Sequence, residues 1–390
     1  MNNRTVRLVS ESGDLTLFTL SEPVSTPRTA RPPASRQAFA AAHVVADPLD
    51  TPSSDGRARL DWDATLALRR DLWGLGFGVA EAMDTAQRGS GLDWPTALEL
   101  IQRSARDARA LGGRIVAGAQ TDHCPPGSLG ALDEVVSAYL LQARAIQSAG
   151  AGVVLMASRE LARLARSPDD YATVYGRVLA ELDDGVILHW LGPAFDPALA
   201  GYWGDADLDR ATEACLDVLG AHAGRVAGIK LSLLDAGREI RMRRRLPEGV
   251  RMFTGDDFNF PELIAGDAEG HSDALLGVFD AIAPAAADAF ARLDAGDPDG
   301  FRARLESCVP FARHAFAAPT YFYKTDLTFI AFLAGRQPHF RMIDGLEARR
   351  SIPHLCRLVV LADSAGLLSD PEPAARRLRA FLETAGIAQP

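Results

Sequence analysis

A chain of 390 residues, 47% apolar and 24% charged, has enough apolar material for a large buried core and too much for a disordered polymer. A formal charge of -10 excludes a general nucleic-acid surface, which needs clustered cations, and no run of about 18 apolar residues is available to span a membrane. The four cysteines Cys124, Cys215, Cys308 and Cys356 form no CxxC pair and read as free thiols, and the N-terminus MNNRTVRLVSESGD lacks an apolar signal core, so the expected location is cytoplasmic.

In chain order, residues 4–20 read as a hairpin, with ESGD as the turn between two β-rich runs. Residues 21–36 are rich in Pro, Ser, Thr and Arg and read as a linker. Strand-like runs then follow at 41–47, 77–83, 114–120, 151–157, 185–190, 226–232, 250–255 and 274–280, with amphipathic helical stretches between most of them. Alternating units of this kind imply parallel strands, and eight of them imply a (β/α)8 barrel, the TIM barrel. An open doubly wound sheet is the rival, but ADPLDTPSSDG after the first strand is a poor phosphate-binding turn. Helices are expected at 283–295, 298–317, 321–334, 351–367 and 371–386. The expected organisation is therefore a hairpin and linker over 1–37, a barrel over 38–282 and a helical extension over 283–390.

A barrel of this type carries its chemistry where the strands end. Those ends offer Asp47 and Asp50 after the first strand, and Glu81, Asp84 and Thr85 after the second. Next come Asp122 and His123, then His189, then Lys230 and Ser232, then Asp256 and Asp257. Of 41 basic residues only 2 are lysines, Lys230 and Lys324, so a lysine here prompts the question of what an arginine could not do. Arginine stays protonated, whereas a desolvated lysine can attack a carbonyl as the neutral amine. Lys230 lies in VAGIKLS, and strand alternation places it on one face with Gly228 and Ser232. It is either a nucleophile in the barrel or the partner of an inward carboxylate. His189 beside Trp190 lines the mouth; Asp256 either caps the next helix or lines the site; Tyr202 and Trp203 close the pocket or pack as a lid.

GIKLS at the sixth strand and FTGDD at the seventh resemble the dihydrodipicolinate synthase / N-acetylneuraminate lyase superfamily, with Lys324 in YFYKTDLTFIAFLAG resembling a lysine of its C-terminal helix. The chain looks like an outlying family of that group. The resemblance implies a Schiff-base lysine at Lys230 and a site-facing Asp256. It departs from the superfamily at the second strand, where Glu81-Ala82-Met83-Asp84-Thr85 replaces a GTTGE-like loop that holds the α-keto carboxylate, so pyruvate is not the expected substrate. It departs again at the fifth strand, where His189 replaces a proton-relaying tyrosine.

Together these readings give a class I, Schiff-base lyase or aldolase acting on a small carbonyl-containing substrate, sugar- or polyol-derived, by C–C cleavage or formation or by dehydration. Lys230 and His189 are its catalytic residues, and Glu81, Asp84, Asp122, His123, Ser232 and Asp256 bind substrate. No cofactor and no metal is expected, and the expected partners are a small-molecule substrate and further copies of the chain, as a dimer or tetramer. Two alternatives stay open. One is a metal-dependent isomerase or aldolase using Glu81, Asp122, His123 and His189; the other is a non-catalytic sugar-binding barrel.

Overall fold

The structure is a computed structural model that describes residues 3–390 apart from 24, 26, 28, 50–55 and 184. Asp50 and parts of the linker lie outside the described residues. The hairpin is β1 (Thr5–Val9) and β2 (Leu15–Thr19), paired antiparallel. Eight parallel strands follow: β3 (Ala38–Ala41), β4 (Gly78–Glu81), β5 (Ile115–Ala119), β6 (Gly152–Met156), β7 (Val186–Leu191), β8 (Val226–Ser232), β9 (Arg251–Thr254) and β10 (Asp273–Leu276). They close into a barrel in sequence order, with β10 pairing both β9 and β3. The TIM-barrel expectation holds.

Local chemistry sets the connecting helices. Asp61, Asp93, Asp207 and Asp235 each cap a helix start by accepting a backbone N–H, which satisfies a donor the first turn leaves free. Each strand then presents alternate side chains to two apolar layers. Phe39, Ala80, Val116, Val154, Met156, Ile187 and Phe253 fill the lumen. Val79, Ala117, Leu155, Leu188, Ile229, Leu231 and Met252 pack against the helices.

Three boundaries differ from expectation, each for a visible reason. The first strand lies over Ala38–Ala41 and shares only Ala41 with the run expected at 41–47, because the backbone donors beyond it are taken by side chains: His43 N–H goes to Asp280 at 3.1 Å and Val45 N–H to Thr65 at 3.1 Å. The last strand ends at Leu276, and the helix Phe279–Asp294 begins where a strand was expected to continue. The helix expected over 298–317 is two, Pro298–Glu306 and Val309–Ala315, because Pro310 has no N–H to continue the first.

The C-terminal helices Tyr323–Leu333, Ile352–Ser364 and Pro371–Thr384 pack as a layer beside the barrel. His43 ties the two parts, with Nδ1 on Asp280 and Nε2 on Gln337 at 2.6 Å. The hairpin docks on its own chain: Arg7 pairs with Gln389, and Ser21 donates to Asp363.

Gly228 on β8 is one of the tight points of the lumen. A Cβ there would lie 2.6 Å from the Arg251 carbonyl oxygen and 2.7 Å from the Phe253 ring. Gly228→Ala is expected to cost about 1–3 kcal/mol through overpacking. Gly220→Ala, on a helix with open space around it, should be neutral or stabilising by up to about 1 kcal/mol. Urea unfolding of the two variants beside the parent chain checks the contrast.

Candidate active site

Lys230 sits near the C-terminal end of β8, between Ile229 and Leu231 of the outer layer, so its side chain enters the lumen. It is 5% exposed. Among the described residues its amine makes no hydrogen bond and no ion pair, so the inward-salt-bridge reading does not hold. Burial lowers its pKa, while Asp84 and Asp257 pull the other way. Gly255 makes room for it: a Cβ there would meet Ser232 Oγ at 2.1 Å and Lys230 Cε at 2.9 Å. The turn after β9 can cross the lysine only because residue 255 has no side chain.

His189 on β7 is the register neighbour of Lys230, one strand spacing away. It is fully buried, with Nε2 3.1 Å from Ser232 Oγ and Nδ1 without a partner among the described residues. Burial first, and the Lys230 charge second, hold it well below the usual imidazole range, so it is neutral at pH 7.

Asp84 stands at the mouth in the short helix Asp84–Ala86 after β4. Its Oδ2 accepts from Tyr323 Oη at 2.8 Å, and Tyr323 Oη also meets Thr85 Oγ1 at 2.6 Å. Tyr323 comes from the C-terminal helix Tyr323–Leu333 and stacks on Phe316 at 4.2 Å. Burial, reinforced by Asp84, raises its pKa well above that of a free phenol, so it holds its proton. Asp257 completes the group. It accepts the Val278 N–H at 2.8 Å, and its pKa is pushed up to about 8, chiefly by burial, with Lys230 acting against the rise.

Other expected site residues go elsewhere. Glu81 follows Val79 by two positions and therefore faces outward, where it forms a buried two-pronged pair with Arg69 (2.9 and 2.8 Å) and accepts from Ser104 at 2.6 Å. Asp256 caps its own turn, accepting from the N–H groups of Phe258 and Asn259 and from Asn259 Nδ2. Of the two adjacent carboxyls it is Asp257, not Asp256, that acts on Lys230, alongside Asp84. Asp122 is held by Arg88 (Nε to Oδ2, 2.7 Å) and Gln142; these keep its pKa below the usual carboxylate range although burial opposes them. His123 Nδ1 accepts from Gln142 Nε2 at 2.9 Å. Asp47 lies on the loop after β3, where its Oδ1 accepts the Leu49 N–H.

Glu81, Asp122, His123 and His189 therefore do not gather, and among the described residues no three His, Cys, Asp or Glu side chains are grouped as metal ligands. Tyr202 and Trp203 are buried packing residues and do not form a lid: Trp203 stacks on Tyr175 at 4.9 Å, and Tyr202 Oη meets Tyr175 Oη at 2.9 Å. Tyr323 is the residue the strand-end reading missed. Its one signal was adjacency to the rare Lys324.

The eight-stranded parallel barrel with its helical C-terminal layer is similar in fold to structures solved as dihydrodipicolinate synthases. Three solved structures of that name, from Thermotoga maritima, Bacillus clausii and Aquifex aeolicus, match at 14%, 14% and 13% identity with TM-scores of 0.64, 0.65 and 0.63. They cover 86%, 85% and 84% of this chain and 100%, 98% and 97% of theirs. The chain itself belongs to the family described as "Protein of unknown function (DUF993)", whose model matches residues 6–387. No curated protein matches. The family is thus an outlying one on the dihydrodipicolinate synthase fold.

Breaking the Arg69–Glu81 pair leaves an unpaired buried cation. Glu81→Gln is expected to cost about 3–5 kcal/mol of stability, read by urea unfolding. The pH dependence has two limbs. The fold favours neutral His189, so stability falls as pH drops through about 6.5, the unfolded imidazole value, toward the lower folded one. The fold favours protonated Asp257 and Glu239, each at about 8, so their contribution is full below the unfolded carboxyl value of about 4 and is lost as pH rises to about 8. His189→Gln should flatten the acid limb and Asp257→Asn the alkaline one, in urea titrations between about pH 4 and 9.

Proposed function

We propose that this protein is a Schiff-base-forming lyase or aldolase acting on a small, hydroxylated carbonyl compound, with Lys230 as the nucleophile. The observation that carries the reading is the state of the Lys230 amine: buried, lowered in pKa, and without a direct partner among the described residues. Burial favours the neutral amine, the form that attacks.

The chemistry then follows from the neighbours. Nζ attacks the carbonyl carbon, and the displaced π pair goes to oxygen, which takes the Asp257 proton. The resulting carbinolamine loses water: the nitrogen lone pair forms the C=N bond as the C–O bond breaks, and the leaving hydroxyl takes the proton that the nitrogen surrendered. The product is a protonated imine, an electron sink. In cleavage, neutral His189 accepts the proton of the substrate's β-hydroxyl. The α–β C–C pair moves toward the imine to give an enamine and an aldehyde. Tyr323 Oη, held by Asp84 and Thr85, is the proton donor at the other side of the mouth. Asp84, as an acceptor, suits a substrate hydroxyl. Dehydration starts from the same imine: neutral His189 takes the α-proton to give the enamine, and the enamine pair then expels the β-hydroxyl, which takes that proton back from the imidazolium and leaves as water, regenerating the protonated imine.

The same reading includes assembly into a dimer or tetramer, for which Leu15 and Leu17 of β2, 58% and 63% exposed, offer an apolar face; sedimentation velocity measures it.

Borohydride reduction with hydroxylated aldehydes and ketones, followed by peptide mass spectrometry, tests the chemistry. The expected result is a covalent adduct on Lys230. Lys230→Arg should be nearly as inactive as Lys230→Ala, because it keeps the charge and loses the nucleophile. His189→Gln and Tyr323→Phe should each reduce kcat by about 10²- to 10⁴-fold with adduct formation retained. Full activity in Lys230→Arg would overturn the imine.

A further inference from the structure

The second lysine of the chain is also buried, and the imine chemistry does not use it. Lys324 opens the helix Tyr323–Leu333 and is 3% exposed. Among the described residues its ammonium forms no hydrogen bond and no ion pair. Lysines are almost never fully buried without a partner, because desolvating the charge costs several kcal/mol. Two carboxylates act on it from a distance, Asp84 and Asp196, and both are engaged elsewhere. Asp84 accepts from Tyr323, while Asp196 accepts from Arg159 Nε at 2.6 Å and from the Ala198 N–H.

Lys324 lines a cavity of about 350 Å³ together with Arg159, Asp84, Gln120 and Phe195. Arg159 gives only Nε to Asp196; its terminal nitrogens lie over Gly89 and make no hydrogen bond among the described residues. One polar cavity is therefore lined by a Lys324 ammonium that sits over the Tyr323 ring at 5.5 Å without a hydrogen bond or ion pair among the described residues, and by a guanidinium edge with donors to spare; Asp196, already held by Arg159, lines it too. That is the donor set for anionic oxygens.

We infer that this cavity is a subsite for an anionic oxygen group of the substrate, a carboxylate or a phosphate, received by Lys324 and Arg159 while the reacting carbonyl sits at Lys230, beyond the residues that line the cavity. The placement of the carbonyl rests on the proposed imine chemistry; the anion subsite does not. Asp84 acts electrostatically on both lysines, so it suits a hydroxyl on the carbons between the two ends. The substrate class narrows to hydroxylated carbonyl compounds with an acidic terminus, as in sugar acids and sugar phosphates.

Isothermal titration of the full chain with inorganic phosphate and, separately, with acetate tests this. One or both anions should bind the parent chain and Lys230→Ala alike, and bind at least about 10-fold more weakly to Lys324→Met and Arg159→Gln. Tighter phosphate binding assigns a phosphate ester, and tighter acetate binding a carboxylate. Arg159 is largely exposed, so Arg159→Gln decides the matter if Lys324→Met fails to fold. Absence of binding to the parent chain, or unchanged affinity in the folded variants, overturns the subsite. Failure of the imine reading shows separately, as phosphate or acetate binding with no borohydride adduct on Lys230.

Discussion

Along a β-strand successive side chains point to opposite faces, and closing eight such strands into a barrel makes the two faces different environments. One looks into a narrow lumen that opens on the mouth; the other packs on helices. Every feature of the site depends on that two-residue period. Lys230, between two outward residues, enters the lumen and arrives beside His189 because parallel strands run in register. Glu81 falls on the other phase and meets Arg69 and Ser104 on the helices behind the sheet. One carboxylate is thereby withdrawn from chemistry and made part of the scaffold.

At the mouth the charges bias one another. The amine of Lys230 is desolvated, which favours losing its proton; burial first, and the Lys230 charge second, keep His189 neutral. Asp257 is buried firmly enough to keep a proton near neutral pH. Burial acts in opposite directions on acids and bases: it keeps the imidazole neutral and the carboxyl protonated, and it loosens the hold of Lys230 on its proton.

The sequence made the eight strands legible because their apolar runs recur with helices between them, and it made Lys230 legible because lysine is so scarce in this chain. The phase of the second strand was not legible. Gly78, Val79 and Ala80 are all small or apolar, and a strand buried on both faces carries no hydrophobic alternation to show which face Glu81 takes. The choice between Asp256 and Asp257 depended on a turn whose N–H groups capture the first of them. Tyr323 was hidden for another reason: it reaches the mouth from a helix more than 200 positions beyond Thr85 and Asp84, and no local pattern reports that meeting.

That long-range meeting changes what the C-terminal layer is. A barrel with short loops leaves its mouth open to water, where an amine such as Lys230 would regain its proton. Here the helix Tyr323–Leu333 covers one side of the mouth and brings Tyr323 and Lys324 to it on consecutive residues. The helix is anchored independently of the site. Asp326, one turn of side chains away, is buried against Arg350 at 2.8 Å and His354 at 2.7 Å. His43, at the end of β3, binds Gln337 just beyond the helix. These anchors are separate from the contacts Tyr323 makes with Asp84 and Thr85, so the extension walls one side of the barrel mouth and is held there by contacts outside the candidate site.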